Sequence, residues 1–134
     1  MEKKFINPPT IATPRGYTHV VTVTHGKMVF ISGQVAFNVK GELVGKGDLR
    51  AQTMQVYENL KNALAATGAT TADVVKLNTY VVDFKPADLA AIREVRGQYF
   101  PNAEQMPAST LVGVPALAFE GLLIEIEAVA MVKE

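Results

Sequence analysis

The chain contains no cysteine, and its formal net charge is zero. The lack of cysteine excludes disulfides, thiolate nucleophiles and cysteine-bound metals, and it fits a reducing cytosol. The 13 basic and 13 acidic side chains balance, so the sequence gives no electrostatic footprint for nucleic acid. We therefore expect no nucleic-acid partner.

Metal-binding and membrane signals are also missing. His19 and His25 are the only histidines, and they have neither an HExxH spacing nor a third ligand, so we expect no metal. The N-terminus, MEKKFINPPTIATP, lacks the apolar run of a signal peptide. Glu125 and Glu127 interrupt the only long apolar stretch, so no membrane span is expected. These features predict a cytoplasmic protein with no membrane partner.

The composition that is present indicates one domain with a covered surface. A chain of 134 residues is long enough for one core, and we expect a single domain over residues 1–134. Apolar residues make up 49% of the chain and charged residues only 19%. A surface with so few charged residues favours burial of one face by another subunit.

Hydrophobic periodicity predicts two helices and at least five strands. We expect a loosely held N-terminal arm of about a dozen residues, a hairpin over 17–35 that turns at His25-Gly26-Lys27, and a glycine-rich connection over 38–48 with one short strand. Asp48 is the predicted N-cap of the first helix, which Gly68 ends. The second helix has Pro86 in its first turn and stops at Pro101. The remaining strands are expected at 73–83, 108–114 and 122–132.

This order predicts an α+β domain: one mostly antiparallel sheet with two helices on one face. Alternation leaves apolar side chains on the other face, at Met28, Phe30, Leu123, Val129 and Met131. A homo-oligomer that packs sheet against sheet would cover them.

Several segments in the right order resemble the Rid family, also called the YjgF family, whose members have often been labelled endoribonuclease L-PSP. They are ISGQVAFN (31–38), AQTMQVYENLKNALAATGA (51–69), DVVKLNTYVVD (73–83) and PASTLVGV with LIEIEAVA (107–130), with a weaker match at GYTHVV (16–21). The resemblance implies a chorismate-mutase-like, YjgF-like fold and a homotrimer with ligand clefts between subunits. For the best-known branch it implies hydrolysis of reactive enamines and imines, without a cofactor.

The resemblance also implies roles for individual residues. Glu125 matches the family carboxylate that holds the water, and Tyr17 matches a pocket tyrosine that orients substrate. The remaining matches line the cleft: Ser32, Gly33, Leu111 and Arg93, the last at a position usually held by asparagine. A plainer interpretation remains open, because strand alternation alone predicts that Glu125 and Glu127 lie on a solvent-exposed face of the sheet. Glu127 would then have an ion-pair partner.

The chain departs from the family at the residue that binds the substrate carboxylate. Deaminating members carry an arginine in a Pro-Ala-Arg-Ser pattern, and here Ser109 stands in its place. Serine cannot give the two-pronged grip of a guanidinium, which predicts a loss of about 1.5–3 kcal/mol in binding a 2-imino acid. Arg96, Arg93 and Arg15 are candidate substitute cations, although a snorkelling arginine is the commoner explanation for the two on the second helix and a solvated loop arginine is the plain one for Arg15.

Three function classes follow. The first is a deaminase or hydrolase of small imine or enamine metabolites, weak on 2-imino acids because of Ser109. The second is a non-catalytic small-molecule-binding or sensor protein of the same fold. Under either hypothesis, a small carboxylate is one candidate ligand. The third, a ribonuclease, is disfavoured by zero net charge and by aromatic residues without basic interleaving.

Overall fold

A computed structural model describes all of residues 1–134. The eight helices and strands are β1 (Glu2–Ile6), β2 (Val20–Thr24), β3 (Lys27–Gln34), α1 (Leu49–Ala65), β4 (Val74–Val82), α2 (Asp88–Tyr99), β5 (Ala108–Val114) and β6 (Ile124–Val132). Short 3-10 turns at Thr71–Asp73 and Ala103–Gln105 precede β4 and β5. Neither α1 nor α2 has the length and hydropathy of a membrane-spanning helix.

The main sheet has four strands in the order β3-β6-β4-β5. The two pairings of β6 are antiparallel and β4 with β5 is parallel, so the sheet is mostly antiparallel, as predicted. Every second residue of β6 is buried, and these residues join the core beneath the helices with Val56, Leu60 and Leu64 of α1. The predicted α+β domain with two helices on one face is therefore confirmed.

The predicted hairpin over 17–35 is wrong. β2 and β3 do flank the turn, where His25 and Gly26 have positive φ, but they belong to different sheets. A Cβ at Gly26 would lie 3.0 Å from the Val132 carbonyl oxygen, so the turn sits on the end of β6. β3 therefore starts along β6, with Lys27 opposite Val132.

The N-terminal arm and the glycine-rich connection also differ from expectation. Residues 2–6 form β1, which pairs antiparallel with β2, and Lys3 Nζ donates to the Ala72 carbonyl oxygen at 2.6 Å. The arm is thus tied down over its first half. The connection over 38–48 contains no strand and only an isolated bridge between Phe37 and Leu43.

Both ends of α1 follow from local sequence. Asp48 is the N-cap, as predicted, and its side chain accepts from Ala51 N at 3.0 Å. Gly68, at φ +76°, lies three residues beyond the last helical residue. The second helix begins two residues after Pro86, which lies in the preceding turn.

Buried Gln52 of α1 holds the approach to β6 in place. Its amide nitrogen donates to the carbonyl oxygens of Gly45 and Gly121, and its oxygen accepts from Leu123 N. One side chain therefore satisfies three backbone groups in the loops that lead into α1 and β6.

The second face of the main sheet carries no helix. Met28 and Phe30 are 55% and 73% exposed there, next to Met131 and Val129 in register. We call this surface the open face; it also carries the odd-numbered residues of β6.

Candidate functional site

Glu125 lies at the start of β6 on the open face, where β3 is irregular. The β3–β6 register slips between Ile31 and Gln34, so β3 has one extra residue, a bulge of the kind often found beside active sites. A Cβ at Gly33 would lie 2.5 Å from Glu125 Oε2. Only glycine therefore lets the carboxylate rest against the bulge. Within the protomer, no group donates a hydrogen bond to this carboxylate.

Glu127 is engaged differently. Its Oε1 accepts from Tyr80 Oη at 2.6 Å and from Asn78 Nδ2 at 3.1 Å. The hydrogen bond between Tyr80 and Glu127 is the main cause that raises the pKa of Tyr80, and burial and the negative charges of Glu127 and Glu125 add to it. The ion-pair partner expected for Glu127 is absent: no salt bridge includes Glu127, and its two hydrogen bonds, from Tyr80 and Asn78, both end on Oε1.

A shallow cavity of about 300 Å³ opens beside Glu127 on the open face. It is lined by Ser32, Lys76, Asn78 and Glu127 together with Phe30, Ile31, Ala128 and Val129. Ser32 and Gly33, predicted as cleft residues, thus do lie beside the two glutamates. The β4 side chains were missed, although alternation along KLNTY would have placed Lys76, Asn78 and Tyr80 on one face.

Tyr17 lies elsewhere, on a loop anchored beside β5. Thr18 N donates to the Pro107 carbonyl oxygen at 3.2 Å, immediately before the strand. The Tyr17 ring packs edge-on against His19 at 5.3 Å, and His19 Nε2 lies 2.6 Å from the Ala12 carbonyl oxygen. No cluster of three histidine or acidic side chains is positioned to hold a metal.

Ser109 and Leu111 lie on the helix-covered face of edge strand β5. They are opposite Leu77 and Thr79, both of which are buried beneath the helices. Glu125 points to the open face, so Ser109 and Glu125 of one protomer lie on opposite sides of the sheet. A single protomer does not bring them together.

The three candidate cations lie on the same side as Tyr17. Arg96 is buried on α2, with its Nη2 2.7 Å from where a Gly16 Cβ would be. Arg15 is the exposed neighbour of Gly16, and Arg93 is exposed one turn before Arg96. Burial first, and then the charge of Arg93, lower the pKa of Arg96, while Tyr57 opposes the shift.

The predicted site residues therefore fall into two groups. We call the first set of residues the carboxylate group; it comprises Glu125, Ser32 and Gly33 and lies on the open face. The cation group, formed by Tyr17 and the three arginines, lies near the start of β5 with Ser109 and Leu111. The carboxylate and the guanidinium groups therefore lie on separate surfaces of the protomer.

Known proteins resemble this chain over nearly its whole length. The family described as Endoribonuclease L-PSP matches residues 9–132. A crystal structure of a Rid-family protein from Yersinia pestis superposes with a TM-score of 0.91 at 49% identity, covering 98% of this chain and 100% of the other.

Two further relatives carry functional names. A 2-iminobutanoate/2-iminopropanoate deaminase of Dermatophagoides farinae is 33% identical over 132 residues, which are 98% of each chain. The RidA structure of an Antarctic Psychrobacter is 34% identical, with a TM-score of 0.69 over 90% of this chain and 92% of that one. The chain therefore belongs to the Rid family, also known as the YjgF or endoribonuclease L-PSP family.

Proposed function

We propose that this protein hydrolyses small imines or enamines to carbonyl compounds and ammonia, in clefts between the subunits of a cytoplasmic homotrimer. The observation that carries the proposal is the Glu125 carboxylate, which has no partner within the protomer and lies against Gly33 on the open face. The deaminase name of the Dermatophagoides farinae relative supports the same reaction class.

Two surfaces of the protomer support the proposed trimer. The open face exposes Phe30 and Met28, so another subunit is needed to cover it. The carboxylate group and the cation group lie on opposite sides of the sheet. A neighbour that brings its β5 edge to the open face would join the two groups in one cleft, and three such contacts close a ring.

The chemistry assigned to Glu125 is proton transfer. Its carboxylate holds a water and takes one proton as the water oxygen bonds to the imine carbon and the C=N π electrons move to nitrogen. Delivery of that proton to nitrogen gives a carbinolamine. The hydroxyl proton then passes to nitrogen as the C–N bond breaks, so ammonia leaves and a carbonyl product remains.

The contact that the protein makes with the substrate carboxylate sets the expected rate. Ser109 offers no charge, so a 2-imino acid must rely on Arg96, Arg93 or Arg15 for its carboxylate, or the natural substrate is uncharged there. We expect the wild type to act on 2-imino acids more slowly than a relative with arginine at this position. Placing arginine at residue 109 should raise the rate if the cleft admits the longer side chain.

A non-catalytic binding or sensor protein is the second candidate, and Ser109 is the observation that favours it. Binding would use the same cleft without turnover. A ribonuclease is disfavoured in spite of the family description, because the chain has no net positive charge to attract a polyanion.

The test generates 2-iminopropanoate with an amino-acid oxidase and follows its decay with wild type, Glu125→Gln and Glu127→Gln. We expect wild type to accelerate the decay and Glu125→Gln to lose the effect while folding normally, because glutamine keeps the shape but accepts no proton. Loss in Glu127→Gln alone would move the catalytic role away from Glu125. A wild type that binds carboxylates but accelerates no imine decay would support the binding protein.

A further inference from the structure

Residues 7–19 form a closed loop between β1 and β2. Asn7 directly follows β1, and its side-chain oxygen accepts a hydrogen bond at 2.8 Å from the backbone N–H of His19, which directly precedes β2. The two ends of the loop are therefore joined. The N–H of Thr18 also ties this end to the Pro107 carbonyl oxygen. Surface loops of this length with adjacent ends are frequently functional.

The His19 side chain holds the interior of the same loop. Its Nε2 lies 2.6 Å from the Ala12 carbonyl oxygen, and because a carbonyl oxygen only accepts, Nε2 carries a proton and donates it. The His19 ring also meets the Tyr17 ring at 89°, with centroids 5.3 Å apart, a geometry in which aromatic rings attract each other. His19 thus fixes the loop at its end, at its middle and at Tyr17.

A cavity of about 550 Å³ opens along this loop. Most of its lining comes from the loop itself, at Asn7, Pro8, Ile11, Pro14 and Tyr17. Ala103, in the turn before β5, adds to the lining. His19 does not line the cavity, so it can affect a ligand there only through the loop that it holds.

We infer that His19 is a positioning residue, which keeps the 7–19 loop closed and the Tyr17 ring at the wall of this cavity. The inference rests on the proposed function for one point, the contact of Tyr17 with the substrate. Loss of His19 should weaken capture of the substrate and leave proton transfer by Glu125 intact.

The first test compares 2-iminopropanoate decay in wild type and His19→Ala. We expect a loss of about tenfold in kcat/KM, mainly through a higher KM, because the variant lacks one hydrogen bond and one aromatic contact of ordinary strength. A merely structural role would lower the folded fraction, and hence kcat, at unchanged KM. An unchanged KM in His19→Ala would therefore overturn the inference.

The matched control is His25→Asn. It removes the other histidine, which is exposed on the turn before β3, and asparagine tolerates the positive φ of this position. Both kinetic constants should equal those of wild type.

Two further variants separate the hydrogen bond of His19 from its ring. His19→Gln keeps a side-chain N–H donor but loses the ring, whereas His19→Phe keeps a ring but loses the donor. Each should retain more kcat/KM than His19→Ala. In a Tyr17→Ala background, His19→Ala should have little further effect, because His19 acts through Tyr17. A full tenfold loss in that background would contradict the inference.

Amide hydrogen exchange tests the loop without relying on catalysis. In His19→Ala, the backbone N–H of residue 19 still has Asn7 as its acceptor, so its exchange rate reports whether the loop stays closed. We expect faster exchange at residues 18 and 19, while the amides of β4 and β6 remain as protected as in wild type. Unchanged exchange at both residues would overturn the inference. Faster exchange in the variant, with no imine decay by wild type, would support the role of His19 in the loop and refute the proposed catalysis.

Discussion

The contact between Gly33 and Glu125 allows the position of the carboxylate to be tested without changing the carboxylate itself. In Gly33→Ala the new methyl carbon would lie 2.5 Å from Oε2, 2.7 Å from Cδ and 2.9 Å from Cγ of Glu125. Ordinary contacts begin at 3.4 Å, so the carboxylate must retreat by about 0.9 Å, and a misplacement of about 1 Å can cost about 100-fold in rate.

Stability should respond far less than activity. The Glu125 side chain can turn away from the methyl group, and an off-rotamer side chain costs about 1 kcal/mol. The matched control is Gly97→Ala on α2, because neither glycine has positive φ and a Cβ at Gly97 meets nothing within 4 Å. That change should raise the free energy of unfolding by up to about 1 kcal/mol, since alanine is the better helix former.

The assay combines kcat/KM for 2-iminopropanoate decay with urea unfolding for the two variants and the wild type. We expect Gly33→Ala to lose about 100-fold in kcat/KM, and Gly97→Ala to retain the wild-type rate. Full activity in a well-folded Gly33→Ala would refute the reasoning, because the carboxylate would then be free to move without consequence.

Three other predictions concern stability, pH and assembly. Gln52→Leu removes the partners of three backbone groups and should lower the free energy of unfolding by about 3 kcal/mol or more in urea titrations; a loss well below 1 kcal/mol would contradict that role. Burial, followed by the hydrogen bond to Glu58, raises the pKa of the Tyr99 hydroxyl to about 12. The neutral hydroxyl should therefore stabilise the fold fully up to about pH 10, and this contribution should vanish as pH rises through 12. The tyrosinate difference spectrum, with Tyr99→Phe as reference, should show this titration, and Glu58→Gln should lower the midpoint only in part; a midpoint near 10 in wild type would be the opposing result. Phe30→Asp should convert the proposed trimer to monomers in sedimentation equilibrium, because it places a charge on the face that we propose a neighbouring subunit covers; a trimer that stays intact would show that the open face is not the interface.

Local chemistry explains which parts of the fold the sequence could predict. Helix α1 was predictable because Asp48 caps it and its apolar residues recur at helical spacing. Strand β6 was predictable from strict alternation, which also placed Glu125 and Glu127 on the face without helices. The family resemblance rested on whole segments in order, so it survived errors in single elements.

The misplaced hairpin shows where local signals run out. The His25-Gly26 turn has the positive φ values that hairpins use, but only tertiary packing decides whether the strands on either side pair. Here the turn packs on Val132, and β3 is taken by β6. The pairing of β1 with β2 was missed for the same reason, because it depends on a partner about 20 residues away.

The candidate site was predictable residue by residue but not as an arrangement. Matching of motifs selected Glu125, Tyr17 and Ser109, yet it did not reveal that Glu125 and Ser109 lie on opposite faces of the sheet while Tyr17 lies on a loop. The close approach of the Arg96 guanidinium to Gly16 was also missed. Contacts of this kind join distant segments and leave no periodic signal.

The central claim is that each cleft combines Glu125 of one subunit with the cation group of its neighbour, and mixing two inactive variants tests it most directly. Glu125→Gln is unfolded together with whichever of Arg96→Gln, Arg93→Gln and Arg15→Gln has lost activity. The two are refolded at equal amounts and assayed on 2-iminopropanoate, with mixed trimers verified by native mass spectrometry. Random assembly should restore about a quarter of the clefts with both wild-type residues, and hence about a quarter of the wild-type rate. A mixture that contains mixed trimers but stays as inactive as its two components would contradict a site shared between subunits.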